Sequence, residues 1–210
     1  TIEAPNGHLT LNASNSIITT TAGTNNVKLG ANAGNSIASG GNFNVVIGDE
    51  AGTAITTGDQ NTFVGYAAGD VTTTSSNNTG IGNNALGGNI LGSYNVAIGK
   101  DSLEEMNPAT AVNMYNVAVG AAAGQKVTTG TYNTLIGGLA GDGMTTGATN
   151  TAVGASSLSG VVTGANNVAV GYVSLEDVTS GHENVAIGRS SGLQLTEGGE
   201  NVIVGYQALL

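Results

Sequence analysis

Gly188-Arg189-Ser190-Ser191-Gly192 spells the G-x-S-x-G pattern of a serine nucleophile elbow. That chemistry needs a strand, a strained turn and a following helix to raise the serine, with a histidine base and an acid brought in from elsewhere. His8 and His182 are the chain's two histidines, and neither is placed to serve the motif. Gly137-Gly138-Leu139-Ala140-Gly141-Asp142-Gly143 has the glycine content of a phosphate loop, but no Gly-Lys-Ser/Thr follows it. The carboxylates Asp49, Glu50, Asp59, Asp70, Asp101 and Asp142 fall in neither an EF-hand nor a Gly-Gly-x-Gly-x-Asp spacing. Glu104-Glu105 and Glu176-Asp177 could hold a surface Ca²⁺, but a solvated acidic face is the better reading of both pairs. No catalytic residue, cofactor or metal site is therefore expected.

All of these residues sit inside a repeat. Five-residue phrases such as Asn44-Val45-Val46-Ile47-Gly48, Asn95-Val96-Ala97-Ile98-Gly99 and Asn150-Thr151-Ala152-Val153-Gly154 recur along the chain. Their leading asparagines are Asn26, Asn44, Asn61, Asn78, Asn95, Asn116, Asn133, Asn150, Asn167, Asn184 and Asn201, at steps of 17 apart from one of 18 and one of 21. A fixed period of that size marks a stacked architecture. The expected fold is all-β: a parallel β-solenoid, or β-roll, of about eleven 17-residue coils over residues 26–210. Residues 1–25 lack the repeat and read as a β-rich lead-in or cap, covering the unpaired backbone groups at the end of the stack. Because the chain opens on Thr1 and not on Met, it reads as a processed or excised piece.

With each anchor asparagine at position 0, position 3 is aliphatic and position 4 is glycine throughout. Position 11 is usually apolar and position 14 usually glycine, which predicts strand, turn, small residues, second strand and turn in every coil. The asparagines from Asn44 to Asn201 are expected to form a ladder of amides, each bonded to the next. Threonines recur at position 12 (Thr56, Thr128, Thr145) beside others at 13. Adjacent strand residues face opposite ways, so this gives a single exposed file and not the flat double file that would bind ice. Positions 1 and 3 are expected inside with position 11. Position 2 would then point outward, yet it too is mostly apolar, with Ala152 and Ala169 among its members. Such a column calls for a cover, and an identical chain repeated about a threefold axis would supply one.

Composition excludes several partners. The net charge is −10, with Lys28, Lys100, Lys126 and Arg189 the only basic residues, so no footprint exists for a nucleic acid and anionic lipid is repelled. No apolar run approaches the roughly 18 residues of a membrane span, and membrane insertion is not expected. Two Phe, no Trp and 35 Gly are too few bulky side chains for a compact core of this length. The two prolines and the regularly spaced Val, Ile and Leu argue against disorder. The absence of cysteine leaves the redox compartment open.

Phrases such as Asn61-Thr62-Phe63-Val64-Gly65-Tyr66-Ala67-Ala68-Gly69 and Asn201-Val202-Ile203-Val204-Gly205-Tyr206-Gln207-Ala208-Leu209 resemble the repeats of phage tail fibres. They are similar also to the Asn-Ser-Val-Ala-Ile-Gly repeats in the heads of trimeric autotransporter adhesins, whose repeat is usually shorter. The resemblance covers residues 26–210. It implies a homotrimeric, extended, extracellular structural protein of a virion tail fibre that contacts a glycan or protein receptor on a host surface, with a bacterial surface adhesin as the alternative.

Recognition is expected where regularity breaks. The 21-residue coil between Asn95 and Asn116 holds an inserted loop near 103–114, and insertions in solenoids map to one face, often the binding face. Tyr94, Tyr115 and Tyr132 each precede an anchor asparagine and should stack in a column beside it. These three tyrosines, with Glu104, Glu105, Met106, Asn107 and Pro108, are the candidate receptor contacts.

Overall fold

The computed structural model describes residues 22–209, so all but the last few residues of the lead-in lie outside the described part. The chain is a parallel β-solenoid of about ten turns, with no helix among the described residues. Its ladder strands are β1 (Val27–Leu29), β2 (Val45–Ile47), β3 (Thr62–Val64) and β4 (Thr79–Ile81). After β5 (Gly92–Ser93) come β6 (Val96–Ile98), β7 (Val112–Asn113) and β8 (Val117–Val119). The series ends with β9 (Thr134–Ile136), β10 (Thr151–Val153), β11 (Val168–Val170), β12 (Val185–Ile187) and β13 (Val202–Val204). Eleven of these form one parallel sheet in coil order, and β5 pairs with β7 beside it. Register is strict: Ala152 lies beside Ala169 and Leu135, so equal repeat positions form columns.

Register holds because of the buried asparagines. In the interior of the stack each anchor accepts, through its Oδ1, the backbone N–H of the next anchor, as Asn150 does from Asn167 at 2.9 Å. The Nδ2 of Asn167 reaches the same oxygen at 3.1 Å and also donates to the Gly181 carbonyl at position 14 of its own coil, at 2.8 Å. One side chain thus locks neighbouring coils and closes its own turn. The ladder is continuous through the backbone N–H bond, but the expected amide-to-amide bond is missing at Asn78, Asn116 and Asn150, whose Nδ2 donates to the carbonyls of Gly92, Gly130 and Gly164 in their own coils. The rungs from Asn44 to Asn184 are buried.

Facing is reversed from the expectation. Position 2 points into the coil: Val46, Phe63, Ala97, Ala118, Leu135, Ala152, Ala169 and Ala186 are fully buried. Positions 1 and 3 point outward, and Leu29, Ile81, Ile136, Ile187 and Val204 are exposed. The reason is parity. Side chains alternate along a strand, so once position 0 is turned inward to make its ladder, position 2 must follow it.

The interior is narrow, and it is filled by exchange of size between positions 2 and 8. Phe63 lies opposite Gly69, where an added Cβ would sit 2.5 Å from the ring, and Leu135 opposite Gly141, where it would sit 2.8 Å from the Leu135 Cδ2. In four coils a small position 2 goes with leucine at position 8: Gly80 with Leu86, Ala97 with Leu103, Ala152 with Leu158, Ala169 with Leu175. Ala118 and Ala186 keep Gly124 and Gly192 instead, because adjacent coils fill the space: a Cβ would sit 2.6 Å from Leu135 at Gly124 and 2.8 Å from Leu175 at Gly192. Leu86, Leu103, Leu158 and Leu175 are fully buried, and they hold the same left-handed backbone as the glycines they replace, at φ of 48° to 58°. Close packing, not propensity, sets this pattern. Position 4 is different, because glycine there is obligatory. Its φ runs from 131° to 141°, and at Gly154 a Cβ would fall 2.5 Å from the Gly171 carbonyl oxygen.

The second strand expected in every coil shrinks to one or two bonds onto a single carbonyl, as when Thr56 N–H and Gly58 N–H donate to the Thr73 carbonyl at 2.9 and 3.3 Å. Among the described residues only β5 and β7 pair as strands outside the main sheet. Position 11 fills the core at Ile55, Met106, Val127, Met144 and Val178. In the coil from Asn150, Val162 takes that place and Val161 is 61% exposed.

Candidate functional site: the outer sheet face and the insertion

The alternation that buries positions 0 and 2 turns positions −1, 1, 3 and 5 toward solvent. Position 5 is exposed in every coil, and position −1 in all but the half-buried Asn77. Between those two edges run positions 1 and 3 of the ladder strands, aliphatic or threonine throughout and without a charge. Only glycine at position 4 and a left-handed residue at position −1, at φ of 54° to 62°, bound the strand. The outward side of the ladder sheet is therefore an uncharged, largely aliphatic face edged by two columns of mixed character.

The position −1 column contains the tyrosine stack. The rings of Tyr94 and Tyr115 have centroids 5.0 Å apart and planes inclined by 25°, and those of Tyr115 and Tyr132 are 5.3 Å apart at 18°. Three successive rings at coil spacing, each about half exposed, make one continuous aromatic strip. On the opposite edge, at position 5, the Arg189 guanidinium lies 5.7 Å from the ring centroids of both Tyr172 and Tyr206. In the sequence Arg189 stands in a hydrolase-like motif and among the four basic residues, neither of which marks it as part of a ring column. Its signal was the column it shares with Tyr172 and Tyr206, one coil to each side.

The insertion divides into a buried foot and an exposed tip. Asn107 N–H still donates to the Thr128 carbonyl at 3.1 Å, and register is regained by Tyr115 in its stack. The four extra residues are thus absorbed between 108 and 114. Met106 is fully buried and Pro108 is buried too, which removes both as surface contacts. The apolar side chains were turned under the loop to cover the enlarged coil. Pro108 lies with Met114 over Gly92, where a Cβ would be 3.5 Å and 3.0 Å from them. The Glu104 carboxylate accepts from Asn84 Nδ2 and Gln125 Nε2, each at 2.6 Å, so it ties three coils together. Glu105 and Asn107 are exposed, as are the consecutive residues 109–113. The tip, not the foot, is the available surface.

The chemical motifs resolve as repeat punctuation. Ser190 has the left-handed backbone of every position 6, at φ of 55°. Ser191 is fully buried, with its hydroxyl donating to the Gly188 carbonyl at 2.9 Å and its Oγ 2.9 Å from the Ser174 Oγ. His8 lies outside the described residues. Among the described residues no three His, Asp or Glu side chains are grouped to hold a metal ion. Thr56, Thr128 and Thr179 donate their hydroxyls to the next coil's carbonyls at 3.2 Å.

Electrostatics are quiet apart from a few acids. Burial pushes the Asp142 carboxyl above its ordinary value, with nearby Lys126 opposing, and Asp142 Oδ1 is buried with no hydrogen-bond partner. Burial likewise raises Asp70. A hydrogen bond to Glu50, and then its charge, hold the Tyr66 phenol above the usual tyrosine value. Lys100 pairs with Asp101, which raises the lysine. Comparison with family models, curated proteins and solved structures finds nothing that matches this chain.

Proposed function

We propose that the chain is a structural and adhesive segment of a homotrimeric extracellular fibre, of the phage tail-fibre kind its repeats resemble, contacting a host-surface glycan or protein. The observation that carries this reading is the outer sheet face. Positions 1 and 3 of the eleven ladder strands hold eighteen aliphatic side chains and four threonines, and no charge. At about 4.8 Å per coil the face runs roughly 50 Å, and with both edge columns it covers on the order of 1,000 Å². A trimer shares that area between two neighbours, about 500 Å² with each, and the three contacts hold together by closing a ring. The apolar strip of positions 1 to 3 alone, on the order of 500 Å², already matches the largest patch a monomer usually leaves exposed, about 300–600 Å². Three chains turning this face to a common axis cover it completely and close the assembly. The trimer thus keeps its reason but exchanges its surface, from position 2 to positions 1 and 3.

The reading is non-enzymatic: Ser190, the nucleophile position of the motif, is buried at a left-handed backbone position that every coil repeats. Host contact is assigned to the exposed tip at residues 109–113, with Glu105 and Asn107 beside it. Three copies of such a tip would hold a surface by avidity even when each binds weakly.

Light scattering tests the assembly. The wild-type particle should weigh three times the 20.5 kDa chain, and Val153→Glu with Val170→Glu should release folded monomers, because each would bury an unpaired charge in the interface. A monodisperse wild-type monomer refutes the trimer. Ala152→Glu and Ala169→Glu cannot serve here, since both lie inside the coil and would unfold it. Deleting residues 109–112 should leave assembly intact and abolish adhesion to the host surface. Adhesion equal to the parent's would make this segment a spacer.

A further inference from the structure

We infer that the two edges of the outer sheet face recognise one another between copies of this chain: position −1 of each coil meets position 5 of the same-numbered coil in a neighbouring, parallel copy. The inference rests on the self-association just proposed and specifies its partner and register. Both edge columns flank one apolar face, and both stand exposed. In any rotational assembly about an axis along the stack, the −1 edge of one copy must abut the 5 edge of the next, at equal height.

The residues on the two edges fit that pairing. At the level of Asn184 the chain's only arginine, Arg189, stands opposite Glu183 of the neighbour, and at the level of Asn95 Lys100 stands opposite Tyr94. The other two stacked rings, Tyr115 and Tyr132, meet the two smallest residue types at Ala121 and Gly138. At no level do two aromatic rings or two like charges coincide. Opposite charges and ring-to-cation contacts at an interface fix register as much as they add affinity. A slip by one coil would preserve some of these pairs, but a ring whose members each slip upward cannot close and grows as an open filament. A fully overlapping antiparallel pair would place like edges together, which sets Tyr115 on Tyr115 and Tyr94 on Tyr132 and leaves Glu183 beside Phe43 with no cation. On this inference the tyrosine strip belongs to the subunit seam, and the insertion tip alone is left for recognition.

Because the chain has no cysteine, oxidative crosslinking reads the pairing directly. Within one chain, positions 149 and 155 are six residues apart across an extended strand, up to about 20 Å, too far for a disulfide. Thr149→Cys with Ala155→Cys, and separately Glu183→Cys with Arg189→Cys, should give on oxidation a covalent ring of three chains on a non-reducing gel. Each single substitution should remain at monomer mass. Thr149→Cys with Tyr172→Cys, one coil out of step, should give at least tenfold less. If the out-of-step pair links as well as the level pairs, or if neither level pair links although scattering shows a trimer, the edge pairing is wrong and self-association survives. A covalent product of two chains only would support the pairing and refute the threefold number. A monomer by scattering overturns both.

Discussion

Replacing Asn150 by alanine isolates what one rung of the amide ladder contributes. The side chain is fully buried and makes three hydrogen bonds within 3.1 Å: it accepts from Asn167 N–H and Nδ2, and its own Nδ2 donates to the Gly164 carbonyl at 3.0 Å. The Asn167 Nδ2 keeps its second acceptor, Gly181, so it is not orphaned. The Asn167 backbone N–H is, because its only acceptor is deleted, and an unpaired buried donor costs about 1–3 kcal/mol. The Gly164 carbonyl loses its amide as well and adds a smaller amount. A total of about 2–4 kcal/mol per chain follows, or a melting temperature lower by roughly 4–16 °C for a chain of this size. Circular dichroism melts of Asn150→Ala beside Asn201→Ala give the assay. Asn201 is half-buried, so its loss should be felt less. Equal and negligible shifts for the two would refute the reasoning, since they would mean that the rungs exchange freely with water.

Exchanging size across the core should be forgiven. Leu135→Ala alone should cost about 2–5 kcal/mol, and Leu135→Ala with Gly141→Leu should recover at least half by reproducing the Ala152–Leu158 arrangement, as measured by denaturant unfolding. Gly154→Ala has no such partner and should cost more than about 3 kcal/mol, through clash and strain together; wild-type stability in the same unfolding assay would contradict the close approach at position 4. Asp142→Asn should stabilise the chain at neutral pH. Burial sets the folded carboxyl above its unfolded value, so the native state binds the proton more tightly and Asp142 weakens the fold as pH rises through that window. Melts from pH 4 to 7 should show this loss in the parent and its reduction in Asp142→Asn.

The architecture was readable in the sequence because a solenoid repeats its constraints. Each coil stacks only on its neighbours, so the asparagine that must find the next asparagine, and the glycine that must admit the next glycine's carbonyl, recur at the period of the stack. The same logic puts Tyr94, Tyr115 and Tyr132 in one column from their spacing alone. What repetition could not reveal was facing. Positions 1, 2 and 3 are all apolar, so alternation carries no contrast, and the β-branched residues at 1 and 3 look more like core than Ala152 or Ala169 do. A clue was present: an asparagine that bonds only inside the stack must take position 2 inward with it.

The insertion shows the other limit. Its length was visible, yet which side chains cover the enlarged coil depends on what lies above and below. Met106 is buried because it still holds position 11, Pro108 and Met114 close over the turn at Gly92, and Glu104 was captured by Asn84 and Gln125 from the flanking coils. Local sequence determined the coil, its turns and its rungs. The tertiary stack decided which face is core, which residues exchange volume across it, and which apolar surface is left for a partner, because those depend on neighbours that share a height and not a stretch of chain.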